Sequence, residues 1–199
     1  MTLVLSEAGF TRNFDKGVLS VAENAAILTL HLARSVGEDH TWRLIVSGDE
    51  IVGYWQFMCV KDDFYNGILE GSIVDSEMRV EMLDFPVVEG PYKAYLPVIA
   101  VRAQDRGATT LGLLLSALNK TLIDFAKNDI LIEDFCATAF SFEGKRLCEL
   151  IGMEYVHRHP RAPAGSLADV FRITGHSVPN SYLGKKSSVI REKYRNGFS

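Results

Sequence analysis

"AYLPVIAVRAQDRGATTLGLLLSAL", Ala94 to Leu118, passes from an apolar, β-branched run through a short charged turn into a segment whose leucines recur at helical spacing. The unbroken run Ala94–Val101 reads as a strand buried on both faces, because a strand with one wet face alternates instead. Pro97 makes that strand irregular, since proline has no N–H for a ladder and belongs at an edge, a strand start or a bulge. Beyond the turn, Leu111, Leu114, Leu115, Leu118, Leu122 and Phe125 predict a helix over residues 110–127. A glycine-containing turn between such a strand and helix leaves unpaired backbone N–H groups at the positive end of the helix dipole, where phosphate is held well. Many α/β proteins use the same turn only to pack strand on helix. "GATTLG" lacks the Lys-Ser/Thr ending of a P-loop, and the spacing does not fit the dinucleotide fingerprint G-x-G-x-x-G.

Upstream, "TWRLIVSG" and "EIVGYWQFMCV" flank Ser47-Gly48-Asp49 and predict two strands joined by a tight turn. Before them, "LVL" reads as a first strand, and Val21, Ala25, Leu28 and Leu32 mark a helix within Lys16–Val36. Downstream come a strand "ILIEDFCATA", a helix "FEGKRLCELI" and two strands, "MEYVHR" and "ADVFRIT". The order β, α, β, β, β, α, β, α, β, β predicts an α/β sandwich around a mixed sheet. Residues 61–93 carry Asp62, Asp63, Glu70, Asp75, Glu77, Glu81, Asp84 and Glu89 against Lys61, Arg79 and Lys93. They read as a strand extension, a short helix near Ser76 to Leu83 and a loop, with a solvated acidic surface as the simplest meaning of the charge.

The chain has 199 residues, 47% hydrophobic and 23% charged, which is ordinary globular composition. The formal net charge of -4 argues against a surface built throughout for nucleic acid. The start "MTLVLSEAGF" does not read as a signal peptide, and no apolar run reaches the length of a membrane span, so a soluble cytoplasmic protein is expected. Three dispersed cysteines, Cys59, Cys136 and Cys148, suit reduced thiols. No metal site is expected: no histidine pairs with cysteine at zinc-like spacing, and His157 and His159 in "VHRHP" fit a polar strand face.

Gln104-Asp105-Arg106-Gly107-Ala108-Thr109 occupies the Q/R-x-x-G-x-G/A frame between a strand and a helix, and here the chain resembles the GNAT superfamily of acyl-CoA-dependent N-acyltransferases. Against the form R-G-x-G-x-G-x-x-L-L, Arg106, Gly107, Leu114 and Leu115 match, whereas Thr109 and Leu111 stand where glycines are common. A threonine at that place takes space a glycine leaves, and its hydroxyl offers either a helix cap or a donor to a phosphate oxygen. Ser141 to Met153 resembles the family's N-x-x-A-x-x-L-Y-x-x-x-G-F, with Leu147 and Gly152 matching and Cys148 at the frequent tyrosine. Together the motifs and element order cover residues 44–174.

The resemblance implies a mostly antiparallel mixed sheet flanked by helices, with the fourth and fifth strands splayed around acyl-CoA. It implies a GNAT-like domain over residues 1–175 and a basic extension over residues 176–199. Acetyl-CoA is the implied cosubstrate, with Ile99, Ala100 and Val101 against the pantetheine. Arg106, Gly107, Ala108, Thr109, Thr110, Leu111 and Gly112 map to the pyrophosphate, and Ser141 to the pantetheine arm. Tyr95 falls at the place of a general base, with a water path or Glu89 as alternatives, and Cys148 at that of a general acid. The implied partner is an amine acceptor, small molecule or protein; the acidic segment 62–89 would favour a cationic amine. The basic tail, with Lys185, Lys186, Arg191, Lys193 and Arg195, leaves nucleic acid open only there, and a homodimer is left open. A second expectation is a GNAT-fold protein that binds acyl-CoA with little or no turnover, since fold does not fix function.

Overall fold

A computed structural model describes residues 42–198 apart from 48–49, 75–76, 87, 163 and 166. The predicted strand "LVL" and the helix over Lys16–Val36 lie outside the described residues. The remaining order is β1 (Trp42–Ser47), β2 (Glu50–Val60), α1 (Asp62–Glu70), β3 (Gly90–Val101), α2 (Ala108–Lys127), β4 (Ile130–Ala139), α3 (Phe142–Ile151), β5 (Glu154–Arg158), β6 (Asp169–Thr174), α4 (Tyr182–Lys186) and α5 (Ser188–Gly197). Among the described residues one mixed sheet of six strands runs β1-β2-β3-β4-β6-β5, parallel only between β3 and β4 and antiparallel elsewhere. The crossover that this parallel pair requires is α2, which the leucine spacing predicted to within two residues at its start.

α2 buries Leu114, Leu115, Leu118 and Leu122 on one face of the sheet against Trp55, Phe57, Leu96 and Phe135. Each fully buried leucine contributes about 1.5–3 kcal/mol of transfer free energy. α3 and the basic C-terminal segment join this same core through Cys148, Ile151, Leu183, Ile190 and Tyr194. The Tyr194 hydroxyl accepts from the Ile132 N–H of β4 at 3.0 Å, so α5 is bonded to the sheet, its charges lying on its outer face.

The other face is covered by α1, which packs Phe64, Tyr65 and Ile68 on Met58, Val60, Tyr95 and Cys136. The sequence reading had a strand extension here and a helix near Ser76 to Leu83. Instead the strand stops at Val60 and the helix occupies 62–70, and among the described residues downstream there are only 3₁₀ turns, at Glu77 and over Val80–Met82. Asn66 and Gly67 are weak helix formers, but tertiary packing decides: a Cβ on Gly67 would lie 2.3 Å from Ile73, so close approach requires the glycine. Asp62 and Asp63 suit the helix's positive end, and Gly71 ends it in a left-handed conformation at φ 75°.

Candidate functional site

The parallel pairing of β3 with β4 runs from Gly90↔Ile130 to Leu96↔Ala137 and stops there. Beyond that point β4 continues beside β6 through Thr138 and Ala139, while β3 continues beside β2 through Val98 to Val101. The two strands therefore part at Pro97, which has no N–H for a ladder on either side. β2 advances two residues from Gln56 to Met58 while β3 covers three from Val98 to Tyr95, a bulge in β3. It shifts the strand's alternation by one: Ala94 and Leu96 face α2 before it, Ile99 and Val101 after it. Ala94 to Leu96 are buried; Pro97 to Val101 are only half-buried, whereas the sequence reading had the whole run buried on both faces.

The Arg102 N–H donates to the Val52 carbonyl of β2 at 2.9 Å. In an antiparallel ladder the residues that bond to a neighbour alternate, so Val98 and Ala100 also turn their backbone groups to β2. Ile99 and Val101 turn theirs the other way, into the gap left by β4. One of these groups is used locally, because Arg106 Nε donates to the Val101 carbonyl at 3.2 Å. The rest form a strand edge of the kind an extended ligand with amide groups can pair with.

At the end of that edge, Ala103–Asp105 makes one 3₁₀ turn, fastened by the Arg102 guanidinium on the Asp105 carboxylate. Gly107 is the N-cap of α2 and carries no side-chain cap; Thr109 sits two residues inside the helix, so capping is not its role. The first intrahelical donor is the Leu111 N–H, to the Gly107 carbonyl at 3.0 Å. The N–H groups of Ala108, Thr109 and Thr110 thus precede any intrahelical acceptor and point out along the positive dipole end. Arg106, Gly107, Ala108 and Thr109 are exposed. A Cβ built on Gly107 or Gly112 would meet nothing within 4 Å. At Thr110 the methyl faces β2, 3.7 Å from where a Cβ on Gly53 would stand, and Leu111 packs on the core.

Ser141, on the far side of the gap, caps α3: its Oγ accepts from the Gly144 N–H at 3.0 Å, leaving the hydroxyl hydrogen to donate elsewhere. Tyr95 is fully buried, on the α1 face, its ring edge-on to Phe64. Cys148 is buried in the α2 core, and burial pushes its thiol up to about 12. A thiol so held is a weaker acid than an ordinary one, so it stays protonated and gives its proton up reluctantly. The strand edge and the turn are contiguous in the chain and Ser141 follows the end of β4 that leaves β3, while Tyr95 and Cys148 lie in the cores on opposite faces of the sheet.

The sequence reading did not find the polar network on the α1 face. Asp134 of β4 is almost wholly buried, accepts from the Tyr65 hydroxyl at 2.6 Å, and receives Arg172 Nε on both oxygens at 2.8 and 2.9 Å. Burial, then neighbouring negative charge, raises the Tyr65 hydroxyl far above its usual range, and bonding to Asp134 raises Arg172. The available signal was Glu133-Asp134 within an apolar strand, since period two sends one of two adjacent acids inward. The acidic segment is partly neutralised: Asp62 pairs with Lys93 at 3.1 Å and Glu77 with Arg161 at 2.8 Å. His157 bonds the Leu69 carbonyl at 2.7 Å and His159 the Ile73 carbonyl at 3.4 Å, tying β5 and its loop to the end of α1. Among the described residues no cluster of three metal-ligating side chains occurs, and no helix is long and apolar enough to cross a membrane.

An acyl-CoA fits this donor set. The open space over Gly107 and the outward N–H groups of α2 match a pyrophosphate, and the edge at Ile99 and Val101 matches the amides of pantetheine. No protein-family model matches the sequence, and no curated protein does. Solved structures do. The chain is similar to a protein from Desulfovibrio desulfuricans described as belonging to the GNAT family of acetyltransferases, with 17% identity over 82% of this chain and 85% of that one, TM-score 0.43. It is similar to FeeM, an N-acyl amino acid synthase from uncultured soil microbes, with 12% identity over 77% and 90% of the two chains, TM-score 0.44. It is also similar to histone acetyltransferase HPA2 and related acetyltransferase from Corynebacterium glutamicum, with 14% identity over 84% and 82%, TM-score 0.42. Likenesses this distant carry no argument about function; the parted strands and the turn carry it.

Proposed function

We propose that this chain binds an acyl-CoA, acetyl-CoA foremost, and transfers the acyl group to an amine. The observation that carries this reading is the parting of β3 from β4 at Pro97 directly before an uncapped helix N-terminus. Arg106 and the N–H groups of Ala108, Thr109 and Thr110 would hold the pyrophosphate, with Gly107 giving it room. Ile99 and Val101 would pair with the pantetheine, and the Ser141 hydroxyl would donate to it. Bound there, the thioester supplies an activated acyl group.

The chain's own task is then to align the acyl carbonyl, keep the amine neutral and give the developing oxyanion a donor. The Ile99 N–H, the first to face the gap after Pro97, suits the carbonyl oxygen. Direct attack by the amine is the simplest path, since Cys148 is buried and protonated and makes a poor nucleophile. With Tyr95 in the core, proton removal through water to solvent is favoured over a side-chain base. The exposed Asp63, Glu70 and Glu81 support a cationic amine as acceptor.

Titration calorimetry with acetyl-CoA, followed by thiol release against amines, tests this. Binding with turnover is expected. Binding with no turnover on any amine would favour an acyl-CoA-binding module, a reading to which the buried Tyr95 and Cys148 lend support. No binding overturns both.

A further inference from the structure

Arg102, which directly follows β3, is a buried cation: its side chain is 9% exposed, whereas the Asp105 carboxylate that it holds is 27% exposed. An ion pair taken out of water contributes little net stability, because desolvation of the two charges offsets their attraction. The backbone already closes this turn. The Asp105 N–H donates to the Arg102 carbonyl at 2.8 Å, and the Arg106 N–H to the Ala103 carbonyl at 3.4 Å. Holding the turn is therefore not a sufficient reason for a buried arginine.

Its position supplies another. Asp105 stands three residues before Ala108, the first residue of α2 and of the proposed pyrophosphate cradle, so their Cα atoms lie no more than about 11 Å apart. A pyrophosphate held there is an anion, and a carboxylate at that range repels it. Across residues 102–107 two arginines face one aspartate, which leaves one net positive charge; without Arg102 the turn is neutral. Arg106 and the helix dipole would then attract the ligand against the opposition of Asp105.

We propose that Arg102 is a positioning residue of the acyl-CoA site that acts through Asp105, neutralising the one carboxylate of the turn so that the cradle keeps a positive potential. This rests on the acyl-CoA reading above and adds what sets the charge of that site. No contact between Arg102 and the ligand is required. The same turn with Asp105 uncompensated would present its N–H groups in a field of the wrong sign.

The test is titration calorimetry with acetyl-CoA on the full chain, comparing the parent with Arg102→Gln, Arg102→Lys, Asp105→Asn and the double variant Arg102→Gln/Asp105→Asn. Each is measured at about 0.01 M and about 1 M salt, between which the screening length falls from about 30 to about 3 Å. Arg102→Gln should raise Kd about tenfold at low salt and far less at high salt, whereas Arg102→Lys, which keeps the cation, should stay near the parent. The double variant separates charge from structure. It lacks the ion pair as completely as Arg102→Gln does, yet has no carboxylate to repel the ligand, so its Kd should return to within about threefold of the parent. A double variant that binds as poorly as Arg102→Gln means that the pair only holds the turn, and overturns the inference. An unchanged Kd in folded Arg102→Gln overturns it too. Should Arg102→Gln not fold, Asp105→Asn decides: binding at least as tight as the parent's is expected, and a loss of about tenfold overturns the inference. All these failures leave the acyl-CoA reading standing; a parent that does not bind acetyl-CoA overturns that reading itself.

Discussion

The two halves of β3 share one strand and have opposite jobs. From Gly90 to Leu96 it is hydrogen-bonded between β4 and, in the later part, β2, and Ala94 to Leu96 are core. From Pro97 to Val101 it keeps only β2, and every residue is half-buried. A bulge and a proline separate the halves, and the polar groups of each half are served differently. In the first, protein groups answer protein groups, as where Asp134 of the neighbouring strand is satisfied by Tyr65 and Arg172. In the second, Ile99 and Val101 turn backbone groups into the gap that β4 leaves. The first half spends its polar groups on stability; the second leaves them open, where the proposed function has them serve a ligand.

Mutations should split along the same line. The largest effect is expected of Asp134→Ala, which leaves the Tyr65 hydroxyl without its acceptor and takes the partner from the half-exposed Arg172: about 3 kcal/mol lost in urea unfolding. Acetyl-CoA affinity of the folded fraction should be unchanged; a parallel loss of affinity would break the division. Gly107→Trp should do the reverse, weakening acetyl-CoA binding by calorimetry about a hundredfold, or ~2.7 kcal/mol. Its unfolding midpoint should move little, since a Cβ there meets no protein atom within 4 Å and the position is exposed. A variant that binds acetyl-CoA as tightly as the parent would refute the cradle.

Ser141→Ala crosses the division, because the residue caps α3 and, in the proposed function, also donates to the pantetheine. It should cost about 1 kcal/mol of stability and several-fold in acetyl-CoA affinity. Loss of stability alone would leave Ser141 a cap and nothing more. The last effect is one of pH and is absent near neutrality. Burial raises the Cys148 thiol from 9.0 to about 12, so the folded state favours the protonated form. That contribution is complete below the unfolded pKa and is lost as pH rises through about 9 to 12. In Cys148→Ala, chemical unfolding followed across that range should show a shallower alkaline decline than in the parent, and an identical decline would mean that the thiol is not held protonated.

Much of this was legible in the chain. The bounds of β2, β4 and α3 follow from apolar runs and their turns, and α2 from six residues at helical spacing. The turn was legible because its residues are consecutive: Arg106 to Gly112 form one local unit whatever surrounds it. α1 was not, since "DDFYNGILE" is a weak helix whose Phe64, Tyr65 and Ile68 acquire their meaning only from the sheet beneath. Nor was the network of Tyr65, Asp134 and Arg172, whose members meet across 69 and 38 residues of sequence.

By itself, then, the sequence determined the local pieces: periodicity dictates helix or strand, a proline forbids a regular ladder, and a glycine-bearing turn before leucines exposes a helix end. Only the tertiary structure decided where β4 leaves β3, which groups then face the gap, and that Tyr95 and Cys148 are enclosed. Those outcomes depend on pairing register and on burial, and both belong to contacts between residues distant in the chain.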